Sequence, residues 1–169
     1  AGGKSLAVGL IIELLPDKIK RLVSPFLGGG SVEVACAVEL NLPVIFHCRI
    51  AHNNLIEILN QQSTINNQRL TGVIHCFTGT WEEAEKYIEM GFFLGFNGII
   101  FKLNLDEIIR KAPLEKILIE TDCPYLTPSL IEGRNEPIYV KYVAEKIAKI
   151  KNLSYKKIAN ITTQNAKDL

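Results

Sequence analysis

The sequence has no apolar run approaching the ~18 residues of a membrane-spanning helix, so no membrane role is expected. It has no excess of charge of either sign. Its 19 basic and 18 acidic residues leave a formal net charge of +1, which argues neither for nor against a polyanionic partner and leaves a local patch open. It has no CxxC pair, and its four cysteines, Cys36, Cys48, Cys76 and Cys123, form no dense framework. They read as free thiols of a reducing compartment, and the cytoplasm is the expected location. No repeat of fixed period and no long low-complexity tract runs through the chain. No charged stretch followed by an apolar one opens it, so no export signal is expected, and the first residue is Ala1 rather than Met. What remains is an ordinary globular composition, 47% apolar and 22% charged over 169 residues, enough for one domain with a real core.

From residue 32 the pattern alternates between helical and extended spacing. Helices are expected over 32–41, 52–62, 80–91, 104–113, 135–151 and 154–169. Strands are expected over 43–48, 72–77, 92–99 and 116–122, where short apolar runs carry β-branched residues. Thr80 followed three residues later by Glu83 has the spacing of a capping box, and Gly91 stands where that helix should stop. Strands alternating with helices imply parallel βα units of an α/β fold. An open doubly wound sheet and part of a closed βα barrel both satisfy the pattern. In both, ligands gather at the carboxyl ends of the strands.

Three of the expected strands end alike. The runs LPVIFHC, GVIHC and ILIETDC finish in His47, His75 and Asp122, each followed by a cysteine. Alternation along a strand puts Ile45 and His47 on one face, Val73 and His75 on one face, and Leu118, Glu120 and Asp122 on one face. Three such ends could converge on one pocket. Nitrogen and oxygen donors of this kind suit Zn²⁺, Mn²⁺ or Mg²⁺ with a bound water activated for attack. The plainer alternative is that each histidine is simply hydrogen-bonded at its strand end. Cys48, Cys76 and Cys123 are expected to be small buried residues on the helix-facing side.

The segments LPVIFHCR, GVIHCFTGTWEEAEKYIEMGFFLGFNGIIFK, ILIETDCPYLTP, GRNEPIYVKYVAEKIA and ITTQNAKDL together resemble the TatD family of metal-dependent hydrolases, in order and spacing, over residues 33–169. The resemblance implies a partial (β/α) TIM-type barrel, its carboxyl-terminal half, since a whole barrel takes about 250 residues. It implies hydrolysis of DNA phosphodiester bonds with divalent metals. By the same resemblance His47 and His75 match metal-binding histidines, and Asp122 matches a metal ligand and proton acceptor. Arg134 and Asn135 match the RNEP segment beside the substrate. An alternative for Asn135 is a cap on the helix that starts near Pro137; Lys102 reads as a surface cation. The family's opening His-x-His pair and its bridging glutamate have no counterpart here, and Ile50 stands where the family carries Asp.

Residues 1–32 read differently. AGGKS and SPFLGGGSV resemble the start of Dam-type DNA adenine methyltransferases, which bind S-adenosylmethionine there, although a glycine triple also makes a flexible joint. Two segments are therefore expected, 1–32 methyltransferase-like and 33–169 a TatD-like half-barrel. Open alternatives are a truncated and inactive hydrolase, a non-catalytic or chimeric half-barrel, and a methyl-donor binder. Unfilled strand edges of a half-barrel favour a homo-oligomer.

Overall fold

The computed structural model describes residues 31–66 and 70–169. Most of the methyltransferase-like segment, with its AGGKS and PFLGGG stretches, lies outside the described residues.

Helix α1 (Ser31–Glu39) leads into strand β1 (Val44–His47). Just past its end Asn41 takes a left-handed φ of 50°, which lets Leu42 N–H fold back to the Ala37 carbonyl at 2.8 Å. Helix α2 (His52–Asn66), strand β2 (Gly72–His75), helix α3 (Trp81–Glu89) and strand β3 (Phe93–Phe96) follow. Then come helix α4 (Asp106–Lys111), strand β4 (Ile117–Ile119) and helices α5 (Val140–Lys151) and α6 (Tyr155–Asp168). The four strands pair in parallel in the order β1-β2-β3-β4. The α/β alternation expected from the sequence is the observed architecture, and β1 and β4 form the edges of the described sheet.

The strands are shorter than their apolar runs. The run 92–99 leaves the sheet after Phe96 because Asn97 turns it: its Oδ1 accepts Ile99 N–H at 2.9 Å and starts a 3-10 turn over Gly98–Phe101. The run 116–122 leaves after Ile119 and bends at Asp122, φ 59°. The helix expected over 135–151 begins as a 3-10 turn, Pro137–Tyr139, before α5 proper. The capping box at α3 is present as expected, with Thr80 Oγ1 accepting Glu83 N–H at 3.3 Å and Glu83 Oε2 accepting Thr80 N–H at 2.8 Å.

Alternation sorts the sheet into two faces. Ile74, Leu94, Phe96 and Ile117 are buried with Phe77, Tyr87, Phe92, Ile109, Ile147 and Ile158 in a single core beneath the helices. Apolar side chains of this size each contribute about 1.5–3 kcal/mol when fully buried. Long side chains tie the outer elements to it. Asn165 of α6 donates to the carbonyls of Leu114 and Ile117 at 2.9 and 2.8 Å, and Lys151 of α5 donates to the carbonyls of Arg110 and Ala112 at the end of α4. The opposite face carries Ile45, His47, Val73, His75, Gly95, Leu118 and Glu120, and Ile45 on the β1 edge is 75% exposed there.

Candidate metal-binding mouth

The parallel register sets the site. His47 is paired directly with His75, so both imidazoles leave the carboxyl ends of β1 and β2 on the same face. Their ring centres are 5.6 Å apart. Imidazoles sharing one tetrahedral ion at ~2.1 Å place their ring centres roughly 5 Å apart. His75 Nε2 is 3.6 Å from Asp122 Oδ1, beyond a hydrogen bond but close to the ~3.4 Å between two donors on one such ion. Asp122 reaches this position because its left-handed backbone turns the chain back over the strand ends, a conformation that aspartate tolerates better than most residues.

The other nitrogen of His75 is committed. Nδ1 lies 2.7 Å from Glu120 Oε2, while Glu120 Oε1 accepts the Cys76 N–H at 2.7 Å and the Asn97 side-chain amide at 3.3 Å. The bond to Glu120 raises the His75 pKa above its usual value against the opposing effect of burial, with the charges of Glu120 and Asp122 adding to the rise. Cys76, left-handed at φ 49°, turns its own N–H toward Glu120, and burial pushes its thiol up.

The expected site residues divide. His47, His75 and Asp122 come together at the mouth. Arg134 is exposed on the loop before α5, which Asn135 fastens to the Asp122 loop. Asn135 itself is 3% exposed, and its amide donates to the carbonyls of Thr121 at 2.7 Å and Tyr125 at 2.5 Å. It is not a helix cap: residue 136 occupies the cap of the 3-10 turn without a side-chain bond. The amide nitrogen is thus committed to the loop around Asp122, while Oδ1 is buried without a hydrogen-bond partner. Cys48 and Cys76 are buried as expected, but Cys123 is exposed, because the chain has already left the strand and turned at Asp122. Lys102 is exposed.

Glu120 and Asn97 are the residues that the motif at the strand ends does not announce. The signal for Glu120 was its phase: a carboxylate inside an apolar run, two positions before Asp122 and on the same face. Asn97 carries a weaker one, a polar side chain following FFLGF, and it is fully buried.

The mouth fits a divalent ion in chemistry and only in part in arrangement. The donors are the nitrogen and oxygen types that such ions take. Among the described residues, however, no group of three or more His, Cys, Asp or Glu side chains is disposed to hold an ion by itself.

Residues 33–169 match the TatD related DNase family. The chain belongs to this family. Residues 1–45 separately match the D12 class of N6 adenine-specific DNA methyltransferases, in agreement with the AGGKS and PFLGGG resemblance. Curated relatives include YabD of Bacillus subtilis, an uncharacterized metal-dependent hydrolase, 44% identical over 81% of this chain and 54% of its own length. Another is the 3'-5' ssDNA/RNA exonuclease TatD of Escherichia fergusonii, 37% identical over 81% of this chain and 55% of its length. The chain thus spans about half the length of the curated relatives it matches. Among solved structures, the TatD homologue YjjV of Escherichia coli superposes with a TM-score of 0.72 at 23% identity, over 98% of this chain and 69% of that one. A TatD family hydrolase from Entamoeba histolytica gives 0.70 at 24%, over 98% and 67%. These similarities place the fold among TatD-type βα barrels. Among the described residues no helix is long and apolar enough to cross a membrane.

Proposed function

We propose that this TatD-family chain carries part of a metal-dependent phosphodiesterase site acting on DNA. His47, His75 and Asp122 would meet the divalent ion, Mg²⁺, Mn²⁺ or Zn²⁺. The observation that supports this most is the pairing of His47 with His75 in register while Asp122 stands 3.6 Å from His75 Nε2. A bound ion would neutralise phosphate oxygens and lower the pKa of an attacking water. Asp122 lies at the mouth, where its carboxylate can take that water's proton. Arg134, exposed on the adjoining loop, is placed to hold a substrate phosphate through its planar fork of donors, and Asn135 holds that loop in place. The free thiols among the described residues fit a reducing compartment such as the cytoplasm.

The test is cleavage of single-stranded DNA by the purified protein with Mn²⁺ or Mg²⁺. Metal-dependent cleavage that falls at least a hundredfold in Asp122→Asn is the expected result. No cleavage, or cleavage indifferent to Asp122→Asn, overturns the activity and leaves the family untouched.

The exposed Ile45 beside His47 on the edge strand β1 favours a second reading, a half-barrel that works through assembly with another copy. Sizing chromatography that shows only a monomer removes it. For residues 1–32 we propose a methyltransferase-derived segment without methyl transfer; calorimetric heat on adding S-adenosylmethionine would show otherwise.

A further inference from the structure

Glu120 and His75 are not neighbours in the sheet. One follows β4, the other ends β2, and β3 runs between them. Two parallel strand spacings amount to roughly 9.6 Å of backbone separation, yet the side chains meet at 2.7 Å. The contact exists because β3 carries Gly95 at that level. A Cβ there would stand 3.1 Å from Glu120 Oε1, 3.2 Å from its carboxyl carbon and 3.3 Å from Oε2. Glycine leaves the space through which the carboxylate crosses the strand.

The carboxylate then meets three nitrogens. Cys76 N–H and the Asn97 amide both point at Oε1, and His75 Nδ1 points at Oε2. Two of these are N–H groups that cannot accept. We propose that Glu120 is a positioning residue that selects the tautomer of His75, keeping the ring proton on Nδ1 and turning the Nε2 lone pair toward Asp122 and His47. Free histidine favours the opposite form, with the proton on Nε2, which would present a donor to the mouth. A carboxylate that fixes a ligating histidine in this way typically contributes 10–100-fold in metal affinity. The use of that lone pair rests on the proposed metal-dependent activity; the tautomer does not.

Glutamine cannot replace Glu120, although it has the same shape. With its oxygen toward Cys76 and Asn97, its NH₂ faces Nδ1 and forces Nδ1 to accept, which moves the ring proton to Nε2. Flipped, its NH₂ meets two N–H groups. The deciding measurement is the pair of ring ¹⁵N resonances of His75 in the metal-free full chain, at a pH alkaline enough for a neutral ring, assigned by comparison with His75→Asn. The wild type should show Nδ1 protonated and Nε2 bare. Glu120→Gln should show the reverse, with the rest of the amide spectrum retained, and Gly95→Ala a mixture of the two. A wild-type ring protonated at Nε2, or a Glu120→Gln ring unchanged from wild type, overturns the proposal. Mn²⁺ titration of the same samples should show 10–100-fold weaker binding by Glu120→Gln. A wild type with the expected tautomer that binds no Mn²⁺ upholds the role of Glu120 and sinks the metal-dependent function instead.

Discussion

His52 and His75 stand within one short stretch of the fold, on opposite sides of the sheet, and their surroundings treat them in opposite ways. His52 opens α2 on the helix side, where its ring packs at 5.1 Å from Phe77 and 5.8 Å from Tyr87. The Tyr87 hydroxyl donates to the His52 carbonyl at 3.2 Å and lies 3.2 Å from Nδ1. Burial lowers the proton affinity of His52 more than the nearby Glu83 raises it. Burial also raises the pKa of Tyr87 and of Cys48, which share this layer. His75, on the open side, meets carboxylates and has its proton affinity raised. The difference is one of partners: aromatic rings hold a neutral imidazole by packing, whereas carboxylates hold an imidazole by its N–H. The first arrangement stabilises the fold and the second leaves a nitrogen available at the mouth.

The contrast can be broken from either side. Phe77 is fully buried against His52, Tyr87 and Phe96, so Phe77→Ala should cost about 3–5 kcal/mol in urea unfolding, a large share of a domain's stability. Tyr87→Phe keeps the ring but leaves the buried His52 Nδ1 without its hydroxyl partner, and should cost roughly 1–3 kcal/mol by the same assay.

Acid and base should separate the two histidines. For His52, the unfolded chain binds a proton below about pH 6.5 that the folded chain resists, so stability falls as pH drops through that value. His75 has the reverse sign: its stabilisation is complete below about pH 6.5 and fades as pH rises through the higher folded value. His52→Gln should flatten the acid side of a stability–pH profile, and His75→Asn the neutral-to-alkaline side. Profiles unchanged by either substitution would contradict the assignment of partners. The smallest effect is expected at His47, which is exposed: His47→Ala should leave the unfolding midpoint within about 0.5 kcal/mol of wild type, while weakening Mn²⁺ binding.

The parallel sheet was readable because each strand is an apolar run bounded by polar turns, and because Thr80 and Glu83 carry their own start signal. The ends of those runs were not. Apolar character continues through Ile99 and up to Ile119, but pairing stops where Asn97 and Asp122 divert the backbone, and hydropathy does not register a side chain that caps a turn. Strand phase put His47 and His75 on candidate faces, and the parallel register that pairs them brings the two together. The reach of Glu120 across β3 did not follow from phase, since it depends on an empty place at Gly95 on a third segment. The alternative of Asn135 as a cap failed for a related reason: a helix-start position suggests one, whereas its amide is taken by carbonyls ten and fourteen residues earlier.

Ile50 closes the loop after His47 with a left-handed φ of 57° and 93% of its surface exposed. A β-branched residue is poorly suited to that backbone, and its apolar side chain gains no burial there in return. The resemblance to the family places aspartate here, a side chain at ease in the same turn. The segment that follows His47 is therefore under local backbone tension, which a residue better suited to the left-handed turn at position 50 would relax.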